Sequence, residues 1–470
     1  MRRPVREAPG ACRLAVFAAA LLSPSQAFAH ASERGHVLLL PTGYYLAGGA
    51  LAVAASFLIL AFVRPELLRC YGSWRLSLAG APRRGRALVG ALSLAFFALL
   101  VAAGFFGSAD PLHNPLPSFV WTMMWVGLTL LHGLLGNLWP WLNPWHAPYG
   151  LVSGFLGRRP MSLPGQLACW PAVALLLAFA WFELVDIAPQ DPRRLATAVI
   201  VYWVVTFVGC LLFGYGAWMR RCEFLGIFFG MISRFSILDV SEGRRVSVCF
   251  PGARLFRADP LGVSGVVFLL AALGSVSFDG LSRTFAWLAA IGINPLEFPG
   301  RSLVVEPNTV GLLLAVSLLV AIFALAIWIG ERLAGSRNPT AALGLLVWSI
   351  VPIALAYHFS HYLTVLLVDG QYALIALSDP FSRGWNLLGL TGRHAGAGIT
   401  MGHEAAWLIW NAQAAAIVGG HVLAVLLAHM LALRLHPEPR DAMRSQLPLA
   451  VLMVAYTLLG LWLLSTPAIG

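Results

Sequence analysis

Residues 309–330 read TVGLLLAVSLLVAIFALAIWIG, 22 positions without a charged side chain. Wound as a helix at 1.5 Å per residue, that stretch is about 33 Å long, enough to cross a hydrocarbon core of about 30 Å. Working outward, nine further apolar runs have comparable length: 43–63, 87–107, 118–137, 164–185, 195–216, 260–278, 340–368, 405–434 and 446–464. Composition agrees. The chain has 470 residues, 59% hydrophobic and 11% charged, where soluble domains carry roughly 25% charged residues. A soluble enzyme, a disordered chain and an ordinary nucleic-acid-binding module are excluded. The expected fold is an all-α polytopic membrane protein with about ten transmembrane helices. Its first partner is the lipid bilayer, and nucleic acid is not a partner.

The first 29 residues read as a cleavable signal peptide. Arg2, Arg3 and Arg6 form the basic start, Leu14 to Leu22 a short apolar stretch, and Ala27-Phe28-Ala29 a small-x-small cleavage site. Cleavage there makes His30 the mature N-terminus, whose α-amine and imidazole could share one metal ion. Residues 30–470 then form a single helical membrane domain.

All 31 basic residues are arginine, and they gather in alternate loops. Segments 64–86, 138–163, 217–259, 331–339 and 435–445, with Arg434, hold 20 of them; the segments on the other side hold 7. The positive-inside rule places the richer side in the cytoplasm. The expected location is a bacterial inner membrane, with both mature termini external. No cysteine falls in an expected external loop, so no structural disulfide is expected. Asn114-Pro115, Asp259-Pro260 and Asn338-Pro339 read as helix starts and turns. The Phe-rich stretch inside 217–259 reads as an interfacial helix, Trp139, Trp141 and Trp145 as an interfacial aromatic belt, and 369–404 as a long external loop.

Histidines inside the apolar runs are the candidate site, because ionisable groups there are costly to keep. His358 and His361 sit at i, i+3 on one helix face. His421 lies near the middle of another run at a similar depth, so the three imidazoles could share one transition metal ion (zinc, copper or iron). His403 adds an external imidazole. His429, eight residues past His421, is about 12 Å further along the axis, and His132 reads as a hydrogen-bonded core residue. Asp379, Asp369 and Glu404 are candidate general bases or orienting partners for the histidines.

Several of these segments resemble a bacterial polytopic membrane family named fenitrothion hydrolase-like. They are Asn143-Pro144-Trp145, Ala356-Tyr357-His358-Phe359-Ser360-His361-Tyr362, Gly370-Gln371, Ser378-Asp379-Pro380 with Gly384-Trp385, and Gly420-His421-Val422 with Ala428-His429. The resemblance implies hydrolysis of a lipophilic organophosphate triester at the membrane. Together with the clustered histidines, it gives the expectation of a membrane-embedded, metal-dependent hydrolase. A metal-ion transporter or copper-handling protein is the alternative, favoured by histidines at several depths and by His30; no internal repeat supports it, and the apolar runs read as lacking acids. A haem or redox protein with His358 or His361 facing His421 is the third reading.

Overall fold

A computed structural model describes residues 42–466 apart from 61, 64, 80–84, 157–159, 242–244, 298–299, 337, 391 and 397–401. The signal peptide and His30 lie outside the described residues. The chain is a helical membrane protein. Its described part contains ten helices long and apolar enough to cross a bilayer. They are α1 (Thr42–Leu60), α3 (Arg86–Phe106), α4 (Pro115–Leu135), α7 (Gly165–Leu184), α8 (Pro192–Phe213), α11 (Val263–Ser282), α13 (Val305–Leu333), α14 (Pro339–Ser378), α15 (His403–Leu435) and α16 (Pro439–Ser465). Shorter helices join them: α2 (Pro65–Ser73), α5 (Trp139–Leu142), α6 (His146–Leu156), α9 (Tyr215–Arg221), α10 (Phe224–Ile232) and α12 (Phe285–Ala290).

Local chemistry sets the helix starts. Asn114 accepts from the Leu116 amide ahead of Pro115, Asp191 from the Arg194 amide ahead of Pro192, and Asn338 from the Ala341 amide ahead of Pro339. Each side chain satisfies an otherwise orphaned N–H, and each proline occupies a position whose N–H has no helical partner. Helices α11, α14 and α15 form the buried centre, while in α1, α3, α7, α8, α13 and α16 a third or fewer of the residues are buried. α14 and α15 approach closely at Gly420, where an added Cβ would sit 2.4 Å from the Ala356 Cβ.

The helical membrane fold is as expected, with one small sheet added to it; three other expectations are corrected. Strands β1 (Arg75–Ala79), β2 (Leu238–Ser241) and β3 (Arg245–Cys249) form an antiparallel sheet in the order β1-β3-β2, with Leu76 opposite Val248 and Asp239 opposite Ser247. Asp239 ties the sheet to Arg75 at 3.2 Å and Arg254 at 3.4 Å. The Phe-rich stretch does not lie on a membrane surface: in α10, Phe224, Phe228 and Phe229 are buried, and Phe228 stacks on Trp125. Trp139 and Trp145 are likewise buried rather than belt residues. Finally, α14 runs on to Ser378, so the first part of the expected loop 369–404 is helix.

Within α4, residues Ser118–Leu128 wind as a π-helix. The Trp125 carbonyl there takes two side-chain partners, the Thr129 hydroxyl and, at 3.0 Å, His358 Nε2. A widened turn of this kind is common where a helix serves a function.

Candidate functional site

The structure builds its most charged buried centre around Asp279, one residue beyond the expected end of its apolar run. α11 continues through Ser282 and so draws Asp279 into the helix, 1% exposed. Its Oδ2 faces His361 Nε2 at 2.8 Å and accepts from the Tyr362 hydroxyl at 3.0 Å. Its Oδ1 lies 3.1 Å from Arg283 Nη2, one helical turn on. The same Tyr362 hydroxyl lies 3.4 Å from Glu183 Oε1 at the end of α7. Tyr362 thus links two carboxylates.

Arginines close the centre on one side. Arg301 Nη1 donates to the Glu183 and Asp186 carbonyls, both at 3.0 Å, and holds the end of α7. Arg194 pairs with Asp186 at 2.7 Å. The Asp279 carboxylate raises the Arg283 guanidinium above its ordinary value, whereas burial lowers Arg301. A buried charge is retained only when paired and hydrogen-bonded, and Asp279 has a base, a hydroxyl and a guanidinium around it.

His361 is the partly exposed histidine of this centre. Its side chain is 22% exposed, and Nδ1 makes no hydrogen bond among the described residues. In a neutral ring with Nε2–H directed at Asp279, Nδ1 would carry the lone pair. That is the arrangement of an oriented general base.

The expected three-imidazole metal site is not assembled. His358 is buried with Nε2 against the Trp125 carbonyl, which accepts only from N–H. His361 gives Nε2 to Asp279. His421 directs Nδ1 to the Ile417 carbonyl at 2.8 Å, leaving its Nε2 buried without a partner. Each ring thus has one nitrogen held by a carbonyl or carboxylate and one left over, but among the described residues no group of three or more His, Cys, Asp or Glu could hold a metal ion. The three histidines are therefore not grouped as the expected ion site requires.

The external candidates are also dispersed. His403 and Glu404 are exposed at the start of α15, and the 18 residues from His403 to His421 span about 27 Å of helix. Asp379 caps a turn, accepting from the Arg383 amide at 2.9 Å and the Gly384 amide at 2.7 Å. Asp369 is half-buried on α14, eight residues and about 12 Å along the axis from His361. His132 packs in the core, its Nδ1 2.6 Å from the Leu128 carbonyl and its Nε2 accepting from the Trp139 amide at 3.0 Å.

Sequence reasoning missed Asp279, Glu183 and Tyr362, and the structure corrects the expectation that the helices lack acids. The signal was present: each acid sits at the end of an apolar run, with Arg283 one turn after Asp279 and Arg301 in the following loop.

A second carboxylate–imidazole pair lies elsewhere in the bundle. Glu331 on α13 faces His436, just after α15, at 3.0 Å, and both are buried. His429 lies on the same helix, with Nδ1 3.2 Å from Gln446 Nε2.

No protein-family model, curated protein or solved structure matches the chain.

Proposed function

We propose that this protein is a membrane-embedded hydrolase of lipophilic, neutral esters of the organophosphate triester kind, with the Asp279–His361 pair as its general base. The pair itself carries this reading: a buried carboxylate fixes one imidazole nitrogen and leaves the other free to face a substrate. In the proposed reaction His361 Nδ1 takes a proton from water, and the resulting hydroxide attacks phosphorus and expels the aryl oxide. Asp279 stabilises the imidazolium, and Tyr362 holds Asp279 in place. A neutral triester carries no charge that needs an arginine clamp, which agrees with Arg283 and Arg301 being engaged by the protein. No metal enters this scheme.

Purified protein in liposomes, supplied with a chromogenic aryl phosphotriester, tests the reading. General-base assistance contributes about 10²–10⁴-fold, so His361→Gln and Asp279→Asn should each lose about that much in kcat, while Asp379→Asn should change little. Absence of turnover in the folded wild type, or equal rates in all variants, overturns the proposal.

A specific observation favours a second reading as a proton-coupled transporter of a small solute or metal ion. The Glu331–His436 pair and the Asp279–His361 pair are separate buried acid–base sites, and His421 and His429 lie on the helix that leads to His436. Intramembrane acids and histidines of this kind mark proton relays. Solute-dependent acidification of liposomes, lost in Glu331→Gln, would favour transport over hydrolysis.

A further inference from the structure

A second feature is not used by the acid–base centre and shares none of its residues. A cavity of about 630 Å³ runs between α3, α4, α7 and α8, with α5 and α10 at its other end. Its volume lies within the range of about 300–1,000 Å³ of small-ligand pockets. The lining is almost wholly apolar and rich in aromatic rings, among them Phe97, Trp121, Phe179 and Phe182. Along α8 the lining extends from Leu195 to Val205, ten residues or about 15 Å of helix. The slot is elongated along the helix axes and covers about half of a 30 Å hydrocarbon core.

The polar handles of the lining aromatics all point into protein. Trp121 Nε1 donates to the Pro189 carbonyl at 3.1 Å, Trp145 Nε1 to the Trp203 carbonyl at 2.9 Å, and Trp181 Nε1 to Thr309 Oγ1 at 2.9 Å. Trp139 Nε1 donates to Glu223 at 3.0 Å, and the Tyr202 hydroxyl donates to the same carboxylate. An occupant would meet apolar atoms and ring faces. Lining residues Phe96, Trp181, Val201 and Val205 are 36–56% exposed, so the slot opens sideways on the outward flank of apolar helices.

We propose that this slot is a lipid site that takes one acyl chain of a bilayer phospholipid. Length along the helix axis, the absence of a free hydrogen-bonding handle on the aromatic lining and the lateral mouth on a membrane-facing flank all select a hydrocarbon chain entering from the bilayer. The inference is independent of the hydrolase reading, since it involves neither Asp279 nor His361.

Native mass spectrometry of the full chain, exchanged through a delipidating detergent, tests it. One phospholipid should stay bound per chain. Ala178→Phe on α7 and Ala198→Phe on α8, each of which places a ring in the slot, should each lower that occupancy by at least tenfold at an unchanged melting temperature. As a test without variants, wild type prepared in phospholipid with brominated chains should keep tryptophan quenching after the same exchange. Loss of the lipid and of the quenching from folded wild type, equal retention in both folded variants, or retention of an apolar molecule other than a phospholipid would each overturn the proposal.

Discussion

At the scale of single residues, the centre shows how a carboxylate persists among apolar helices. Asp279 is tolerated because Arg283, His361 and Tyr362 surround it; removing one partner of a buried pair leaves the other uncompensated. Glu223 solves the same problem with neutral donors. It caps α10, accepting from the Leu225 amide at 3.0 Å and the Gly226 amide at 2.5 Å, besides Trp139 and Tyr202. Burial nevertheless pushes its carboxyl up to about 7 from an ordinary 4.5. The folded value lies above the unfolded one, so the folded chain binds more proton between them. The contribution of Glu223 to stability should therefore fall as pH rises from 4.5 to about 7 and level off above that. The melting-temperature difference between wild type and Glu223→Gln, measured across that interval, should shrink as pH rises. That variant should also be less stable, by about 1–3 kcal/mol, because its NH₂ would face other donors. A difference that stays constant or grows over the interval would contradict this.

At the scale of elements, the ten long helices were legible because a bilayer imposes length and apolarity on each segment independently of its neighbours. Helix starts at Asn114, Asp191 and Asn338 follow from one residue type and the proline behind it. Tertiary contacts were not legible in this way. α10 reads as an amphipathic surface helix until Trp125, Phe179 and Trp139 are placed around it, and the i, i+3 spacing of His358 and His361 says nothing about the Trp125 carbonyl or Asp279 that occupy them. The sheet was legible in part, since Arg75-Leu76-Ser77-Leu78 and Arg245-Val246-Ser247-Val248 both alternate. Its pairing joins loops 170 residues apart, which alternation does not reveal. Contact between α14 and α15 gives a further prediction. Gly420→Ala places a methyl 2.4 Å from the Ala356 Cβ and 3.0 Å from the Pro352 carbonyl oxygen. Overpacking costs about 1–3 kcal/mol, which outweighs the roughly 1 kcal/mol that alanine gains over glycine in helix propensity. The variant should melt at a lower temperature, and Gly420→Ala with an equal or higher melting temperature would show that the two helices can separate freely.

At the scale of the whole molecule, arginine distribution and fold bear on each other. Two of the arginine-rich segments, 64–86 and 217–259, are joined by the sheet, in which β1 of the first pairs with β3 of the second. The sheet is tied further by the Tyr71 hydroxyl donating to the Pro251 carbonyl at 2.5 Å. Both segments must therefore lie on the same side of the membrane, as the alternation of ten spans requires. If the positive-inside rule governs this chain, that shared side is the cytoplasm, and the Asp279–His361 centre lies toward the opposite face. Cys70, on α2 beside β1, is an exposed thiol that reports the answer. The other four described cysteines are buried or half-buried, so an impermeant maleimide should react chiefly at Cys70. Labelling should be low in intact cells and high in inverted membrane vesicles, with Cys70→Ser removing the signal. Strong labelling in intact cells would reverse the orientation. The acid–base centre would then face the cytoplasm, and a lipophilic substrate would have to be met from the inner leaflet.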